Sequence, residues 1–314
     1  MRSSFIDAVI ALSKERPEVF ILSGDAGLGV FDQFQRTDPH RFLNMGVAEQ
    51  NMAGFAAGLA MAGFRVVLYN IIPFVLYRCY EQVRNDICYQ RLPVVLTGIG
   101  SGVTYAPAGM THYSVEDLGI CRTLPNLTVL SPIDPVEARA AAAFALQATA
   151  PVYVRLPKRG EPTFHTHGDI DITLPQVLQV GAEVALLFHG SVAEEVIAAV
   201  EALGAEGACP LVIALPLLQP LAEDALVPLL AEMRHVVTVE EHFVGCGLGS
   251  LIARLATRHH VGWRLHTLGI ADGFIHEIQD CRHLRQRHGI SAAGIAATVR
   301  RLLGTRAAAR RKAV

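Results

Sequence analysis

The sequence has no excess of either charge. Lysine and arginine together number 27 and aspartate and glutamate 29, which gives a net charge of −2 and a pI of about 6.7. Proteins that bind nucleic acid or anionic membranes through electrostatics carry a strongly basic face. The composition therefore predicts neither nucleic acid nor a membrane surface as a partner.

The sequence also lacks paired cysteines. Its six cysteines are scattered, and none belongs to a CxxC pair: Cys79, Cys88, Cys121, Cys209, Cys246 and Cys281. Zinc sites and disulfide frameworks show close or regular cysteine spacing. Neither is predicted here.

Long uninterrupted hydrophobic runs are missing as well. The apolar stretch at 210–230, PLVIALPLLQPLAEDALVPLL, is broken by prolines and acids, which argues against a membrane span. The first residues, MRSSFIDAVIAL, are too polar for a signal peptide and contain no cleavage-like site. We therefore predict a cytoplasmic protein.

The residues that are present indicate a globular α/β protein of two domains. Of the 314 residues 51% are hydrophobic, enough for large cores, and the length suits two domains. Buried-type strands such as RVVLYN, VALLFHGS and HVVTVEEH alternate with helical segments, which predicts two mainly parallel sheets flanked by helices. We expect a first domain at 1–160, a linker at 161–178, a second domain at 179–306 and a disordered basic tail at 307–314.

The most informative stretch is 41–60, RFLNMGVAEQNMAGFAAGLA. It places Glu49 immediately before an apolar, glycine- and alanine-rich helix. A carboxylate buried there without partners would be costly, so it either caps the helix or serves a chemical purpose. The pattern alone leaves both interpretations open.

This stretch resembles the pyrimidine-binding domain of the transketolase family of thiamine diphosphate enzymes. In that family the glutamate of a G-[IV]-x-E-[QH] motif bonds the N1′ atom of the aminopyrimidine, and Glu49 matches it. The segment FVLYRCYEQV resembles a second motif, F-x-x-x-R-x-[YF]-[ED]-Q-[IV]. The resemblance implies that Phe74 stacks on the aminopyrimidine with Tyr77 and Arg78 beside the cofactor, although core packing is the commoner role of such aromatics. It also implies that Asp25, in SGDAGLG, lies near the cofactor and a subunit interface; a plain strand-to-helix turn is the alternative.

The segment GMTHYSVED resembles the family's G-P-T-H-[HQ]-x-x-E-D motif, with Met110 in place of proline. We expect a helix to begin at a capping pattern formed by Ser114 and Asp117. The resemblance implies that His112 projects into the active-site channel and binds the substrate; a solvated loop histidine is the alternative.

Further positions concern the substrate. Sugar transketolases carry a substrate-binding aspartate and histidine where this chain has Ala108 and Gly100, so an unusual substrate is expected. Arg155 matches the family arginine that binds a substrate phosphate, with Lys158 and Arg159 adding charge. The alternative is a solvated basic loop after an edge strand.

The second half resembles the family's C-terminal domain through its EEH and GLG residues, and we interpret GCGLGS as a helix-packing turn, not a nucleotide loop. The sequence lacks the family's diphosphate and metal motif, G-D-G followed by a distant asparagine. The resemblance therefore implies one subunit of a split transketolase. A partner subunit would hold the diphosphate and Mg²⁺ (or Ca²⁺), around a homodimer core in an α2β2 heterotetramer.

The predicted function is transfer of a two-carbon ketol unit from a ketose phosphate to an aldose or another acceptor, with Glu49 and His112 as catalytic residues. Two alternatives stay open. One is a β-type subunit of a 2-oxoacid dehydrogenase E1, or a hybrid that loads a lipoyl group or carrier protein. The other is a regulatory paralogue that scaffolds a true subunit without catalysis.

Overall fold

The computed structural model describes residues 1–27, 29–158, 160–166 and 168–311, with side chains described as far as residue 304. Its helices are α1 (Arg2–Ser13), α2 (Asp32–Thr37), α3 (Glu49–Met61), α4 (Tyr80–Gln82), α5 (Asp117–Cys121), α6 (Pro135–Gln147), α7 (Ala193–Ala205), α8 (Glu223–Leu230), α9 (Leu248–His259), α10 (Cys281–Arg287) and α11 (Ala292–Arg311). The strands are β1 (Val19–Ser23), β2 (Phe42–Asn44), β3 (Arg65–Ile71), β4 (Val94–Ile99), β5 (Thr128–Leu130), β6 (Val152–Leu156), β7 (Gln176–Gln179), β8 (Val184–Phe188), β9 (Leu211–Ala214), β10 (Leu217–Gln219), β11 (His235–Phe243) and β12 (Arg264–Ile270).

Two mainly parallel sheets form the frame, which confirms the predicted fold class. The first sheet has the order β10-β5-β6-β4-β3-β1-β2, and only its edge strand β10 runs antiparallel. The second has the order β12-β11-β8-β9-β7, again with one antiparallel edge strand, β7. Strands such as β4 and β8 are buried along their whole length, as expected when helices cover both faces of a parallel sheet.

The two halves of the chain are packed into each other. Strand β10 lies within the segment predicted as the second domain, yet it pairs with β5 of the first sheet. Strand β7 begins at Gln176, inside the segment predicted as the linker, and belongs to the second sheet. One hydrophobic cluster joins Leu22 and Met52 of the first half to Leu187 and Leu248 of the second. This shared core fixes the orientation of the two sheets.

The glycine-rich turn before α9 is a packing element. The Glu240 carboxylate accepts hydrogen bonds from the backbone N–H groups of Leu248 (2.6 Å) and Gly249 (2.8 Å) at the start of α9. A Cβ on Gly249 would lie 2.7 Å from the Thr267 side chain. The amides that would cradle a phosphate are thus already bound within the protein.

The final helix runs to Arg311, past the predicted boundary at 306, and residues 312–314 lie outside the described part of the chain. No helix among the described residues is long and apolar enough to cross a membrane.

Candidate active site

Most candidate site residues follow strands of the first sheet at the same edge. Strands β1, β2, β3, β4 and β6 are mutually parallel, so their carboxyl ends lie together. Glu49 follows β2, Phe74 follows β3, His112 follows β4 and Lys158 follows β6. The crevice outside these strand ends is where open α/β sheets bind ligands.

Glu49 is the first residue of α3 and is only 3% exposed. Its Oε2 accepts a hydrogen bond from the Arg78 guanidinium at 3.0 Å, and its Oε1 is 3.4 Å from the Asn70 amide nitrogen. The position at the helix N-terminus also favours a negative charge. Each carboxylate oxygen has about two lone-pair sites, so Glu49 retains the capacity to bind one more donor.

The segment after β3 carries the aromatic part of the site. It is not a regular α-helix, because Pro73–Tyr77 and Val83–Cys88 form π-helical turns around the short α4. The Arg78 N–H donates to the Pro73 carbonyl at 3.0 Å, five residues back. Such widened turns occur often at functional sites. Here the turn presents Phe74 and Arg78 side by side.

Phe74 links the Glu49 pair to His112. The Arg78 guanidinium lies 4.3 Å from the centre of the Phe74 ring, a cation–π contact. The His112 ring meets Phe74 edge-on, with centroids 5.6 Å apart and an interplanar angle of 74°. Glu49, Arg78, Phe74 and His112 therefore form one continuous series of contacts.

His112 lies in the long loop between β4 and α5. Its Nδ1 is 2.9 Å from the Thr111 hydroxyl. Its second aromatic neighbour is Tyr105, with ring centroids 5.9 Å apart. These contacts leave Nε2 as the imidazole nitrogen without a hydrogen-bond partner among the described residues.

Tyr77 joins the π-helical turn to the histidine loop. Its hydroxyl donates to the Glu116 carboxylate at 3.2 Å, and Glu116 also accepts the Val115 N–H at 3.1 Å. Burial raises the pKa of Glu116. Burial, together with the nearby Asp117 and Glu116 carboxylates, raises the pKa of Tyr77 well above its usual value. Tyr77 therefore stays a neutral donor and positions the loop.

Arg155 requires a correction. It is fully buried, its Nε donates to Asp117 at 2.8 Å, and its Nη2 donates to the carbonyls of Ser114 (2.9 Å) and Glu241 (3.2 Å). Strand β6 lies between β5 and β4, inside the sheet. Neither the predicted phosphate contact nor the solvated loop after an edge strand fits this position.

The helix cap predicted at Ser114 is also wrong. Helix α5 begins at Asp117 with Glu116 as N-cap, and the Glu116 side chain makes no cap hydrogen bond. The Leu118 N–H of the first turn donates instead to His242 Nε2 at 3.1 Å. The Ser114 hydroxyl has no hydrogen-bond partner among the described residues. The Asp117 carboxylate is instead bound by Arg155 and by the Tyr153 hydroxyl at 2.7 Å. The pattern matched a capping box, but tertiary partners decide the local geometry.

Asp25 lies apart from these contacts. It is exposed in the loop after β1, and its carboxylate makes no hydrogen bond or ion pair with another described residue. It follows Gly24, which packs directly on the Asn70 side chain. Arg159 lies outside the described residues.

Two residues of the candidate site were not predicted from the sequence. Asn70 touches Glu49, and Tyr105 lies between His112 and Lys158, whose ammonium is 4.9 Å from the centre of the Tyr105 ring. Asn70 is a buried polar residue near the end of β3, shortly after the apolar run VVL, which is a recognisable signal. Tyr105 gave no comparable signal.

Among the described residues, no group of three or more His, Cys, Asp or Glu is arranged to hold a metal ion.

Fold and site together define a two-domain α/β protein in which a buried carboxylate is connected through an arginine to an aromatic ring and a histidine at one sheet edge. Residues 1–162 match the transketolase pyrimidine-binding domain, and residues 175–295 match the transketolase C-terminal domain. The chain therefore belongs to the transketolase family, and the family implies thiamine diphosphate as cofactor.

Similar proteins include single subunits and longer enzymes. The chain is 35% identical over 268 residues to a subunit of apulose-4-phosphate transketolase from Actinobacillus succinogenes, covering 83% of this chain and 85% of that protein. It is 30% identical to a putative transketolase C-terminal section of Methanocaldococcus jannaschii, covering 87% of each. It is 33% identical to 1-deoxy-D-xylulose-5-phosphate synthase of Symbiobacterium thermophilum, but spans only 46% of that enzyme.

Solved structures agree with this assignment. A split-gene transketolase, described as an inactive β4 tetramer, superposes with a TM-score of 0.87 at 30% identity, covering 96% of this chain and 98% of that one. A transketolase from Pichia stipitis gives a TM-score of 0.80 at 18% identity and shares the fold, with 46% of its chain covered. The predicted resemblance to the C-terminal subunit of a split transketolase is confirmed.

Proposed function

We propose that the chain is one subunit of a thiamine diphosphate-dependent split transketolase. It would transfer a two-carbon ketol unit from a ketose phosphate to an aldose or another acceptor, within an active site shared with a second subunit. The observation that carries this proposal is the contact series from Glu49 through Arg78 and Phe74 to His112.

The residues present fit the aminopyrimidine end of the cofactor. Glu49 has a spare lone pair for a ring N–H, and the partly exposed Phe74 ring offers an aromatic surface. Thiamine diphosphate supplies a nucleophilic carbon and an electron sink. Glu49 would hold and move the proton at N1′, and Arg78 would stabilise the carboxylate between turnovers. The His112 imidazole would bind an oxygen of the donor or acceptor.

A second subunit would complete the site. The chain spans most of its subunit-type relatives but about half of the synthase. The sequence lacks the family's diphosphate and metal motif, and the described residues offer no cluster of metal ligands. We propose that the partner holds the diphosphate and its divalent metal, that the assembly is α2β2, and that the chain alone is inactive.

The substrate phosphate would bind Lys158. Arg155 is buried and committed to Asp117, whereas Lys158 lies beside Tyr105 near His112. Among the described residues no carboxylate lies within ion-pairing distance of Lys158. A partly exposed ammonium with no carboxylate partner in the described part of the chain suits a phosphate.

Reconstitution tests the proposal. The chain is mixed with a diphosphate-binding partner subunit, thiamine diphosphate and Mg²⁺, and ketol transfer is assayed from xylulose 5-phosphate and fructose 6-phosphate. Activity in the mixture, with none in either subunit alone, is the expected result. Activity with 2-oxoacids but neither sugar would support the dehydrogenase-like alternative, which the altered residues Ala108 and Gly100 favour. A mixture that forms no complex and binds no cofactor would overturn the split-enzyme proposal.

A further inference from the structure

We propose that Tyr105 is a positioning and specificity residue: its ring holds the Lys158 ammonium at the phosphate end of the crevice and forms an apolar wall beside the substrate chain. This inference rests on the proposed function for its substrate, a short phosphorylated sugar. It concerns a residue that lies outside all of the matched family motifs.

The first observation is the contact between Tyr105 and Gly100. Gly100 has φ +93°, and a Cβ built on it would lie 2.0 Å from Cδ2 and 2.2 Å from Cε2 of the Tyr105 ring. A real Cβ never approaches a ring carbon so closely, so any side chain at position 100 would displace Tyr105. The tyrosine ring therefore fills the space beside the position that matches a substrate-binding histidine in sugar transketolases.

The second observation is that the same ring contacts both residues proposed to bind the substrate, Lys158 and His112. The Lys158 ammonium is 4.9 Å from the ring centre, and the His112 ring centre is 5.9 Å away. A cation over an aromatic face is attracted by the ring quadrupole, and the attraction grows when the site is desolvated. Lysine otherwise keeps much rotamer freedom. Tyr105 thus restricts Lys158 to one side of the crevice while His112 lies on another.

The consequence concerns specificity. With glycine at 100 and alanine at 108, two polar contacts of the sugar enzymes are replaced by a ring and a methyl group. A buried hydroxyl of the substrate facing this wall would lose its hydrogen-bond partner, which disfavours binding. The wall favours a substrate with C–H surface at that point and a phosphate within reach of Lys158.

NMR of the lysine side chains gives a direct test, because the sequence contains few lysines. The sequence contains only Lys14, Lys158 and Lys312, so ¹³C-dimethylation, which keeps the charge, gives few NMR signals. Loss of one signal in Lys158→Met assigns it. We expect the ring current of Tyr105 to shift the Lys158 methyl signal upfield. The shift should remain in Tyr105→Phe and disappear in Tyr105→Leu. Addition of inorganic phosphate should move the signal. A Lys158 signal at the position of an exposed lysine, or one that ignores Tyr105→Leu, would overturn the inference.

Kinetics of the reconstituted complex provide the second test. The preference for xylulose 5-phosphate over xylulose, expressed as the ratio of KM values, should fall about 2- to 30-fold in Tyr105→Leu. Lys158→Met, at a partly exposed position, should lower the same ratio. In the double variant the ratio should be no lower than in Lys158→Met alone, because the two changes act through one contact. The conservative Tyr105→Phe should retain the preference.

The matched control is Tyr89→Leu, because Tyr89 is 79% exposed and lies outside the contact series; it should leave the ratio unchanged. Equal loss for both donors in Tyr105→Leu, or additive effects in the double variant, would contradict the inference. If the complex transfers no ketol unit from any donor, the proposed function fails, and the NMR experiment still decides the role of Tyr105.

Discussion

The Arg155 guanidinium and the Asp117 carboxylate form an ion pair at 2.8 Å in which both side chains are completely buried. Arg155 also binds the backbone carbonyl of Glu241, so the pair connects the first sheet to the second. Removing one partner of such a pair leaves an uncompensated buried charge. The arginine that sequence motifs associate with substrate phosphate is thus part of the interdomain core.

Arg155→Met should therefore be primarily a stability variant. We expect a loss of about 3–5 kcal/mol in the free energy of unfolding, measured by urea denaturation. Lys158→Met is the matched comparison, because its partly exposed side chain should change stability by less than about 0.5 kcal/mol. A stable Arg155→Met protein whose only defect is a higher KM for phosphorylated donors would contradict this assignment.

A second buried cluster predicts pH-dependent stability. Glu137 on α6 is fully buried, and burial raises its pKa to about 8. Its Oε1 is 3.6 Å from His165 Nε2, while His165 Nδ1 lies 3.0 Å from Asp134. The hydrogen bond to Asp134, followed by the charge of Glu137, raises the pKa of His165 against the effect of burial.

The raised pKa values of Glu137 and His165 both make the folded protein less stable as the pH rises. A raised carboxyl pKa means that the native state binds the proton more tightly, so stability falls as the pH rises from about 4.5 to about 8. His165 adds stability below its ordinary pKa that is lost as the pH rises through the raised value. The contribution of this cluster to the free energy of unfolding should therefore decline between pH 5 and pH 8, by up to about 4 kcal/mol for Glu137.

Glu137→Gln isolates that contribution. Its amide oxygen can still accept the Ile133 N–H that Glu137 Oε2 accepts at 2.8 Å, while the ionisation is removed. The variant should show a flatter pH profile and greater stability than the parent at pH 8. The exposed pair of Glu206 and Arg300 offers a control, since Glu206→Gln should leave the slope between pH 5 and 8 unchanged. Parallel profiles for the parent and Glu137→Gln would count against the prediction.

Phe74→Leu tests the aromatic surface. The change keeps an apolar side chain but removes the ring that contacts His112 and Arg78. Thiamine diphosphate should bind the reconstituted complex about 3- to 10-fold more weakly, as measured by calorimetry. Phe20→Leu, at the start of β1 where Phe20 packs on Phe64, is the control. Equal cofactor affinity in the Phe74 variant and the parent would rule out stacking at this ring.

The sequence predicted the fold well because strand and helix periodicities are local. The strands RVVLYN and VALLFHGS, and the helix that begins at Glu49, are found where expected. Glu49, Phe74 and His112 were nominated as site residues only through family motifs, and their mutual contacts became visible only in the structure. What escaped prediction depends on distant packing: β10 joins the first sheet, Arg155 meets Glu241 across the domains, and Tyr105 fills the space above Gly100. No local pattern contains that information.

Glu49 is the residue on which the proposed chemistry depends most, because it would handle the proton at the cofactor. Its carboxylate is buried at the start of α3 and bound by Arg78. Glu49→Gln keeps the shape and the hydrogen-bonding oxygen but cannot release or take up the proton. Glu201→Gln, on the exposed side of α7, is the matched control.

The decisive measurement is the turnover of ketol transfer by the reconstituted complex that contains Glu49→Gln. We predict a loss of about 10²- to 10⁴-fold in kcat, with unfolding curves and complex formation unchanged and with full activity in Glu201→Gln. Turnover equal to that of the parent would contradict the proposed role of Glu49 and would leave the chain as a scaffold for a catalytic subunit.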